Sequence, residues 1–273
     1  MNKFYYVTVA SGDDFIKKYT IPCVKSLIRT GISPKDIHFI GRSKSDIRLF
    51  ASGVPEVNVY RHKVDLSPVC WRYCKGRRKY SYFRAIVLHK VFPKPIPNRH
   101  MVCFDGDVLF YKDPTEFLKK RCQKTWFWHG KELIERSIAG RSGKTTKDIN
   151  VKSYKSLSTW CSEPQAHLMV KWGAKVVPKR EVCCGFYVLH PNDHEGVIRV
   201  MKDGVIEIRD KFCKHSGAGD QKPMNAALAV CGVDWHGGLK FDCPEHLEYF
   251  DLFLNSTQGK KDFVKQAQKM GLY

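Results

Sequence analysis

An apolar segment runs directly into two aspartates separated by one glycine, and this feature restricts the possible folds more than any other. Met101–Phe104 has the character of a buried strand, and Asp105 and Asp107 follow it around Gly106. Side chains at i and i+2 of an extended chain share a face, and the glycine lets the backbone bend between them. The pattern predicts two carboxylates outside the carboxyl end of a sheet strand, where open α/β sheets bind ligands.

Strand and helix patterns alternate along the chain around this segment. Strands are predicted at Phe4–Val9, Ile37–Ile40, Val57–Tyr60, Met101–Phe104 and Gly185–His190. Helices are predicted from Thr20 as a capping residue to Gly31, over Ser45–Phe50, around Tyr82–Val91, from Ser162 to Gly173 and over Asp220–Val230. The alternation predicts an α/β fold with one mainly parallel sheet and helices on both faces.

The chain shows no internal repeat and no Pro/Gly-rich linker, so residues 1–273 are expected to form a single domain. Residues 130–160 are polar, basic and only weakly periodic. Structureless segments of this length inside a domain are uncommon and are often functional. We therefore expect residues 130–160 to form a loop or excursion over the site.

The paired carboxylates suit a hard divalent cation such as Mn(II) or Mg(II), which proteins hold with one or two carboxylates and substrate phosphates. His236 could join them, because a neutral imidazole suits Mn(II) beside oxygen ligands. The structural alternatives are a turn histidine beside two glycines and an Asp-Gly hairpin between Met101–Phe104 and Val108–Tyr111.

Positive charge is strong and uneven along the sequence. The formal net charge is +20, and residues 61–100 hold eleven Lys/Arg against the single acid Asp65. At this magnitude we expect a polyanionic partner rather than a merely solvated basic face. Aromatic residues interleave with the basic ones, as in a surface that follows phosphates and stacks on bases. The basic residues expected to guide the partner are Arg72, Lys75, Arg77, Arg78 and Lys79.

Several features indicate a cytoplasmic protein. No run reaches the ~18 apolar residues of a membrane span, and two aspartates come too early for a secretory signal. The eleven cysteines are an odd number scattered through apolar segments, which predicts buried, reduced thiols. Cys70-x3-Cys74 and Cys213-x-His215 lack the paired spacing of a structural zinc site.

Six short motifs follow one another along most of the chain. They are Tyr5–Ala10, Tyr82-Phe83-Arg84, Val102–Val108, Cys184–Leu189, Gly219-Asp220-Gln221 followed by Asn225, and Trp235–Lys240. In this order they resemble the glycosyltransferases of the GT-A fold, most closely family 8, which includes glycogenin and bacterial lipopolysaccharide galactosyltransferases. The resemblance implies a GT-A type nucleotide-binding sheet and a hexosyltransferase that uses a nucleotide-sugar, a UDP-sugar, with Mn(II) or Mg(II).

The resemblance also implies roles for individual residues. Asp105, Asp107 and His236 would bind the metal, and Asp220 and Gln221 would face the reacting sugar beside Asp107. The donor would be bound by Thr8, Val9, Ala10, Arg84, Asp105, Gly238 and Lys240. Transfer in the family retains the anomeric configuration without a well-placed protein nucleophile, so the leaving phosphate could take the proton.

Two positions depart from the family pattern. Cys183-Cys184 stands where the family has an asparagine, and His236, Gly238 and Lys240 are spaced by two where the family spaces them by three. These departures concern the third metal ligand and the phosphate-binding lysine, and they leave the two aspartates untouched.

The acceptor stays open at the level of sequence. Hydroxymethylated DNA, the acceptor of viral DNA glucosyltransferases, fits the charge and would require base flipping inside a duplex; a viral enzyme of this kind would work in the host cytoplasm. A glycan, a glycoprotein or a lipid at an anionic membrane surface could be attracted by the same positive electrostatic field.

Two other classes of protein compete with the glycosyltransferase interpretation. A non-enzymatic nucleic-acid-binding protein explains the charge, but it gives no reason for Asp105, Asp107 and His236 to converge. A nucleotidyltransferase would use paired carboxylates with two metal ions. It would more naturally carry a third carboxylate near the pair and a Gly-rich phosphate loop, and the sequence shows neither.

Overall fold

The protein is described here by a computed structural model that covers residues 3–62, 77–127, 130–131, 149–177, 181–212, 220–237, 244–253 and 257–273. Its strands are β1 (Phe4–Ala10), β2 (Ile37–Gly41), β3 (Asn58–Arg61), β4 (His100–Phe104), β5 (Val108–Phe110), β6 (Trp126–Phe127), β7 (Gly130–Lys131), β8 (Glu181–Val182), β9 (Phe186–Leu189), β10 (His236–Gly237) and β11 (Phe250–Leu252). Seven of them form the main sheet in the order β10-β6-β9-β4-β1-β2-β3.

Helices connect these strands. They are α1 (Asp13–Phe15), α2 (Ile21–Arg29), α3 (Lys44–Gly53), α4 (Arg77–Val91), α5 (Thr115–Arg121), α6 (Tyr154–Ser158), α7 (Glu163–Lys171), α8 (Pro191–Lys211), α9 (Gln221–Cys231) and α10 (Thr257–Lys269). A π-helical turn (Ile16–Thr20) joins α1 to α2, and 3₁₀ turns occupy Pro34–Asp36 and Pro244–Glu248. Within the described residues, no helix is long and apolar enough to cross a membrane.

The main sheet is mostly parallel, as the alternating pattern predicts. Strands β3, β2, β1 and β4 run parallel to one another, whereas β9 runs antiparallel to both β4 and β6. Two-residue β10 extends the sheet parallel to β6. The carboxyl ends of β1, β2 and β4 therefore lie along the same edge of the sheet.

Strand β1 explains why helices cover both faces of this sheet. All seven of its residues are buried, and successive side chains point to opposite faces. Tyr5, Val7 and Val9 pack into a core with residues of α4, α8 and α9. Phe4, Tyr6 and Ala10 belong to a second core, with residues of α2, α3 and α10. The prediction of an α/β sheet covered on both faces is confirmed.

Three local expectations need correction. Thr20 precedes α2 as predicted, but its side chain makes no capping bond, because continuous helical structure already starts at Asp13, where two first-turn aspartates favour a helix N-terminus. The Asp-Gly hairpin does not form, because β4 lies in the main sheet and β5 pairs with β11 in another. The region 130–160 is not all loop, since its described part contains α6 with buried Leu157 and Trp160.

Candidate active site

The Asp105-Gly106-Asp107 segment carries the chain from one sheet to another. The Asp105 N–H donates to the carbonyl of Gly185 at 2.8 Å, which continues the β4–β9 pairing past the end of β4. The Asp107 carbonyl accepts from Phe253 N–H at 3.1 Å, next to the β5–β11 pair. Both backbones are fixed by hydrogen bonds, so the two carboxylates are held at the carboxyl edge of the main sheet.

Gly106 is required by close packing rather than by an unusual backbone angle. Its φ is not positive, whereas that of Gly12, at the start of the first helix, is 99°. A methyl group at Gly106 would lie 2.6 Å from Thr20 Oγ1 and 3.0 Å from a ring carbon of Phe15. The helical segment after β1 therefore packs directly on the backbone between the two aspartates.

Arg84 connects two carboxylates that are distant in sequence. From α4, its Nη1 donates to Asp105 and its Nε donates to Asp220. Only 5% of the Arg84 and Asp220 side chains is exposed, against 31% for Asp105. Asp220 occupies the N-cap position of α9, but its side chain makes no capping bond. The Asp220 carboxylate is therefore engaged by Arg84 rather than by the N-terminus of its own helix.

Electrostatics at the two aspartates favour a bound cation. Burial raises the pKa of Asp105 despite the neighbouring Arg84, and burial together with the charge of Asp105 raises the pKa of Asp107. Asp107 is only 6% exposed, and its Oδ1 has no hydrogen-bond partner among the described residues. Unpartnered buried carboxylate oxygens are the donor atoms that a hard divalent ion prefers, so these two residues fit a metal.

A third protein ligand is not found beside the two aspartates. Within the described parts of the chain, no group of three His, Cys, Asp or Glu side chains could hold a metal ion. His236 lies in β10, three strand spacings or about 14 Å from β4 across the sheet. Pairing through β6 and β9 also sets it level with Val102, before the end of β4. The backbone of His236 therefore lies three strands away from the end of β4 within the main sheet.

The end of β1 lies at the same edge as the aspartates. Thr8 pairs with Phe104, so the register sets Val9 and Ala10 level with the start of the Asp105-Gly106-Asp107 segment. The side chains of Thr8, Val9 and Ala10 are all buried. A donor at this edge would therefore meet the backbone and the following loop rather than these three side chains.

Asp46 fixes that loop, and the sequence analysis did not identify it. Its Oδ1 accepts from Gly12 N–H at 3.0 Å, while Oδ2 accepts from the N–H groups of Arg42 and Ser43. Ser43 Oγ in turn accepts from Asp46 N–H, which completes a capping box at the start of α3. The Ser43-x-x-Asp46 spacing was the available signal, but it does not reveal the bond to Gly12.

Gln221 and Asn225 differ in their surroundings. Gln221 begins α9 directly after Asp220 and is partly exposed. Asn225 is buried, and its amide bonds both the N–H and the carbonyl of Val182. Asn225 therefore holds β8 against α9, which is a structural task.

Several predicted residues cannot be placed. Gly238, Lys240, Arg72 and Lys75 lie outside the described residues, as do Gly219 and the cysteine pairs weighed for zinc. Arg77, Arg78 and Lys79 form the first turn of α4. Two other members of the basic 61–100 segment are engaged within the protein: Arg84 as above, and Arg99 with Asp36 at 2.6 Å. These two arginines are not part of a surface for a polyanion.

Within the described residues, the cysteines are free thiols, as the sequence predicts. The seven described cysteines are free. Cys184 is buried and Cys183 partly exposed, and burial raises the pKa of both thiols. The pair that replaces the family asparagine is thus a pair of neutral thiols near Asp105.

Comparison with known proteins identifies the fold. No family model and no curated protein sequence matches the chain. The galactosyltransferase LgtC, in complex with donor and acceptor sugar analogs, is similar with a TM-score of 0.55 and 12% identity over 97% of this chain and 96% of LgtC. An LgtC active-site mutant with glutamate in place of glutamine is similar with a TM-score of 0.50 and 11% sequence identity. The match covers 96% of this chain and 83% of the mutant chain.

A third similar structure is the bifunctional glycosyltransferase WbbM in its apo form, with a TM-score of 0.48 and 15% identity. The match covers 98% of this chain but spans only 44% of WbbM. The similarity to LgtC extends over nearly the whole of both chains. The chain therefore has the GT-A fold of glycosyltransferases, with Asp105 and Asp107 at the carboxyl edge of its main sheet.

Proposed function

We propose that this chain is a metal-dependent glycosyltransferase that transfers a sugar from a nucleotide-sugar, a UDP-sugar, to an acceptor hydroxyl with retention of configuration. The observation that carries the proposal is the buried Oδ1 of Asp107, which has no hydrogen-bond partner within the described parts of the chain and lies beside Asp105 at the carboxyl edge of the sheet. The fold supports it, because LgtC, which is similar over nearly its whole length, is a galactosyltransferase.

Asp105 and Asp107 would hold Mn(II) or Mg(II). When bound there, the ion supplies Lewis-acid stabilisation of a diphosphate leaving group. The raised pKa of both carboxyls supports this assignment, because a cation would offset its causes, which are burial in both cases, the charge of Asp220 for Asp105 and the charge of Asp105 for Asp107. His236, whose strand β10 lies three strand spacings from β4, stays a candidate third ligand from the family resemblance alone.

Arg84 would act by positioning the carboxylates rather than by binding the donor alone. Its guanidinium is already engaged by Asp105 and Asp220, which fixes both side chains relative to each other. Asp220 and Gln221 would then lie beside the reacting sugar. LgtC also has a glutamine in its active site, which supports this assignment for Gln221.

The proposed reaction exchanges one glycosidic bond for another. The acceptor hydroxyl oxygen forms a bond to the anomeric carbon, and the bond from that carbon to the diphosphate oxygen breaks. The hydroxyl proton passes to the leaving diphosphate, as the family resemblance implies. An amide is a poor nucleophile, so Gln221 would stabilise the oxocarbenium-like sugar instead of attacking it.

The acceptor is proposed to be anionic because the chain carries a net charge of +20. Hydroxymethylated DNA remains the specific prediction from the basic 61–100 segment, of which residues 63–76 lie outside the described residues. A non-enzymatic DNA-binding protein would share this charge. It would give no reason for Arg84 to join Asp105 and Asp220 beside the buried Asp107.

Hydrolysis of nucleotide-sugars tests the proposal without knowledge of the acceptor. UDP-, GDP- and CMP-sugars are incubated with the protein in Mn(II) or in EDTA, and the free sugar is followed by NMR. We expect Mn(II)-dependent release from the UDP-sugar with the donor's anomeric configuration in the first product formed. Equal release in EDTA would contradict metal dependence, and first-formed product of opposite configuration would contradict retention.

A further inference from the structure

A cavity of about 650 Å³ lies between α10 and the helical segment that follows β1. Its polar lining consists of Lys18, Tyr19, Lys260, Lys261, Lys265, Gln268 and Tyr273. Cavities of this volume are typical of sites for small molecules. Neither the family resemblance nor the proposed donor site accounts for this cavity.

Four lysines and no acidic residue line the cavity. Lys261 and Lys265 are four residues apart on α10 and share a helix face, an arrangement of like charges that disfavours the helix. Within the described residues, none of the four lysines forms an ion pair with a carboxylate. Their repulsion would be relieved by a bound anion, and the ammonium group is a common ligand of phosphate.

The walls of the cavity are held by aromatic and backbone contacts. The Tyr19 ring packs 5.3 Å from that of Phe263, and Lys260 Nζ lies 5.7 Å from the centre of the Tyr19 ring. The Tyr273 hydroxyl donates to the Lys18 carbonyl at 2.8 Å. These contacts fix α10 relative to Tyr19, so the lysines face a preformed space.

The cavity adjoins the proposed reaction centre on the Asp107 side. Tyr19 directly precedes Thr20, which packs on Gly106 beside Asp107. On α10, the Phe263 ring lies 5.5 Å from the ring of Phe253, whose N–H donates to the Asp107 carbonyl. Asp105, by contrast, is held by Arg84. A ligand anchored by the lysines would therefore lie on the side of Asp107 that is formed by α10 and the helical segment after β1.

We propose, resting on the transfer function above, that this cavity binds the phosphate group of a phosphorylated carbohydrate acceptor. The four lysines would neutralise the phosphate, and the Tyr19 and Gln268 side chains would contact the carbohydrate. This placement leaves the acceptor hydroxyl beside Asp107, where the sugar is transferred. A cavity of about 650 Å³ that is open to solvent has room for a sugar phosphate, whereas the continuous backbone of a DNA duplex needs an extended surface.

Calorimetric titration with glucose-6-phosphate, in saturating UDP and Mg(II), tests the proposal on the full chain. The cavity variant is Lys261→Gln/Lys265→Gln, in which both replaced residues are exposed, and the matched control is Lys152→Gln/Lys155→Gln on another exposed surface. We expect binding of glucose-6-phosphate but not of glucose, weakened about tenfold or more in the cavity variant and unchanged in the control. The affinity for UDP should be the same in all three proteins.

Three results would overturn the proposal. The first is equal affinity of the cavity variant and the control for glucose-6-phosphate, or no binding to the wild type. The second is displacement of glucose-6-phosphate by UDP, which would assign the lysines to the donor. The third is loss of duplex DNA binding in the cavity variant without competition by glucose-6-phosphate. Failure of UDP to bind the wild type would instead count against the proposed transfer function. The titration with glucose-6-phosphate would then be repeated without UDP.

Discussion

The Arg84 guanidinium is shared by two carboxylates, and this buried cluster gives the site its geometry. Arg84 and Asp220 are almost fully enclosed, and Asp105 is enclosed over most of its surface. Removing one partner of a buried ion pair leaves a charge without compensation, which is far more costly than losing an exposed pair. Asp107, two residues beyond Asp105, forms no ion pair among the described residues, and its carboxylate is the one available to the proposed metal.

Replacing Arg84 with Met should reduce the free energy of unfolding by about 3–5 kcal/mol, because Asp105 and Asp220 would remain buried without their cation. Urea unfolding at about neutral pH in EDTA measures the change. Arg121→Met is the matched control, since Arg121 pairs with Glu245 at the surface and should contribute less than about 1 kcal/mol. Equal losses in the two variants would show that Arg84 does not bridge the carboxylates.

The helical segment after β1 packs on the Asp105-Gly106-Asp107 turn and so joins the proposed donor side of the site to its proposed metal side. Gly106 lies against Thr20 and Phe15, and Gly12 at the start of that segment bonds to Asp46. The same segment provides Lys18 and Tyr19 to the lysine-lined cavity. Displacement of this one segment would thus disturb three parts of the proposed site together.

Gly106→Ala should destabilise the protein by about 1–3 kcal/mol, because the added methyl group overlaps Thr20 Oγ1. Thr20→Ala removes that oxygen, which has no hydrogen-bond partner among the described residues, and should recover part of the loss. A double-mutant cycle of unfolding free energies measures this coupling. Additive effects of the two substitutions would mean that the segment does not pack on Gly106.

Local patterns predicted most elements near the site and failed where the decisive contacts are distant in sequence. Met101–Phe104 and its two aspartates were found from apolarity and spacing alone, because a strand and its end are local features. The bond from Arg84 to Asp220 spans 136 positions, and no periodicity contains that information. The helix start at Asp13 was missed because Thr20 and Pro22 imitate a capping signal inside a continuous helical segment.

The whole sheet is enclosed by two apolar cores, and this enclosure buries ionisable groups far from the site. The alternation of strands and helices was sufficient to predict that both faces are covered. The antiparallel β9 and the short edge strands β6 and β10 were not predicted, since pairing partners are chosen by tertiary packing. Single-domain organisation remains a prediction. One enclosed histidine, His38, should make the global stability sensitive to acid.

His38 is buried among Tyr5, Tyr60 and Phe92, and burial followed by the charge of Arg99 lowers its pKa from 6.5 to about 4. The unfolded chain therefore binds the proton first, so stability should fall as pH decreases from about 6.5 to about 4 and level off below. This histidine should contribute about 3 kcal/mol of that loss.

Urea unfolding across this pH range, in wild type and His38→Phe, measures the contribution. The variant should lose about 3 kcal/mol less than wild type on acidification, because phenylalanine keeps the aromatic packing and does not titrate. Tyr60→Phe removes the hydroxyl that lies 3.0 Å from His38 Nδ1 and should keep the wild-type acid response. Identical acid responses of His38→Phe and wild type would contradict the assigned pKa shift.

The central claim is that Asp105 and Asp107 form a metal site for a nucleotide diphosphate, and calorimetric titration of UDP tests it most directly. Wild type should bind UDP at least about tenfold more tightly in Mn(II) than in EDTA, whereas Asp107→Asn should lose that difference. In EDTA the variant should unfold at the same temperature as wild type or higher, because a buried carboxylate with a raised pKa is replaced by a neutral amide. Full Mn(II) enhancement in Asp107→Asn, or wild-type UDP binding unaffected by EDTA, would contradict the claim.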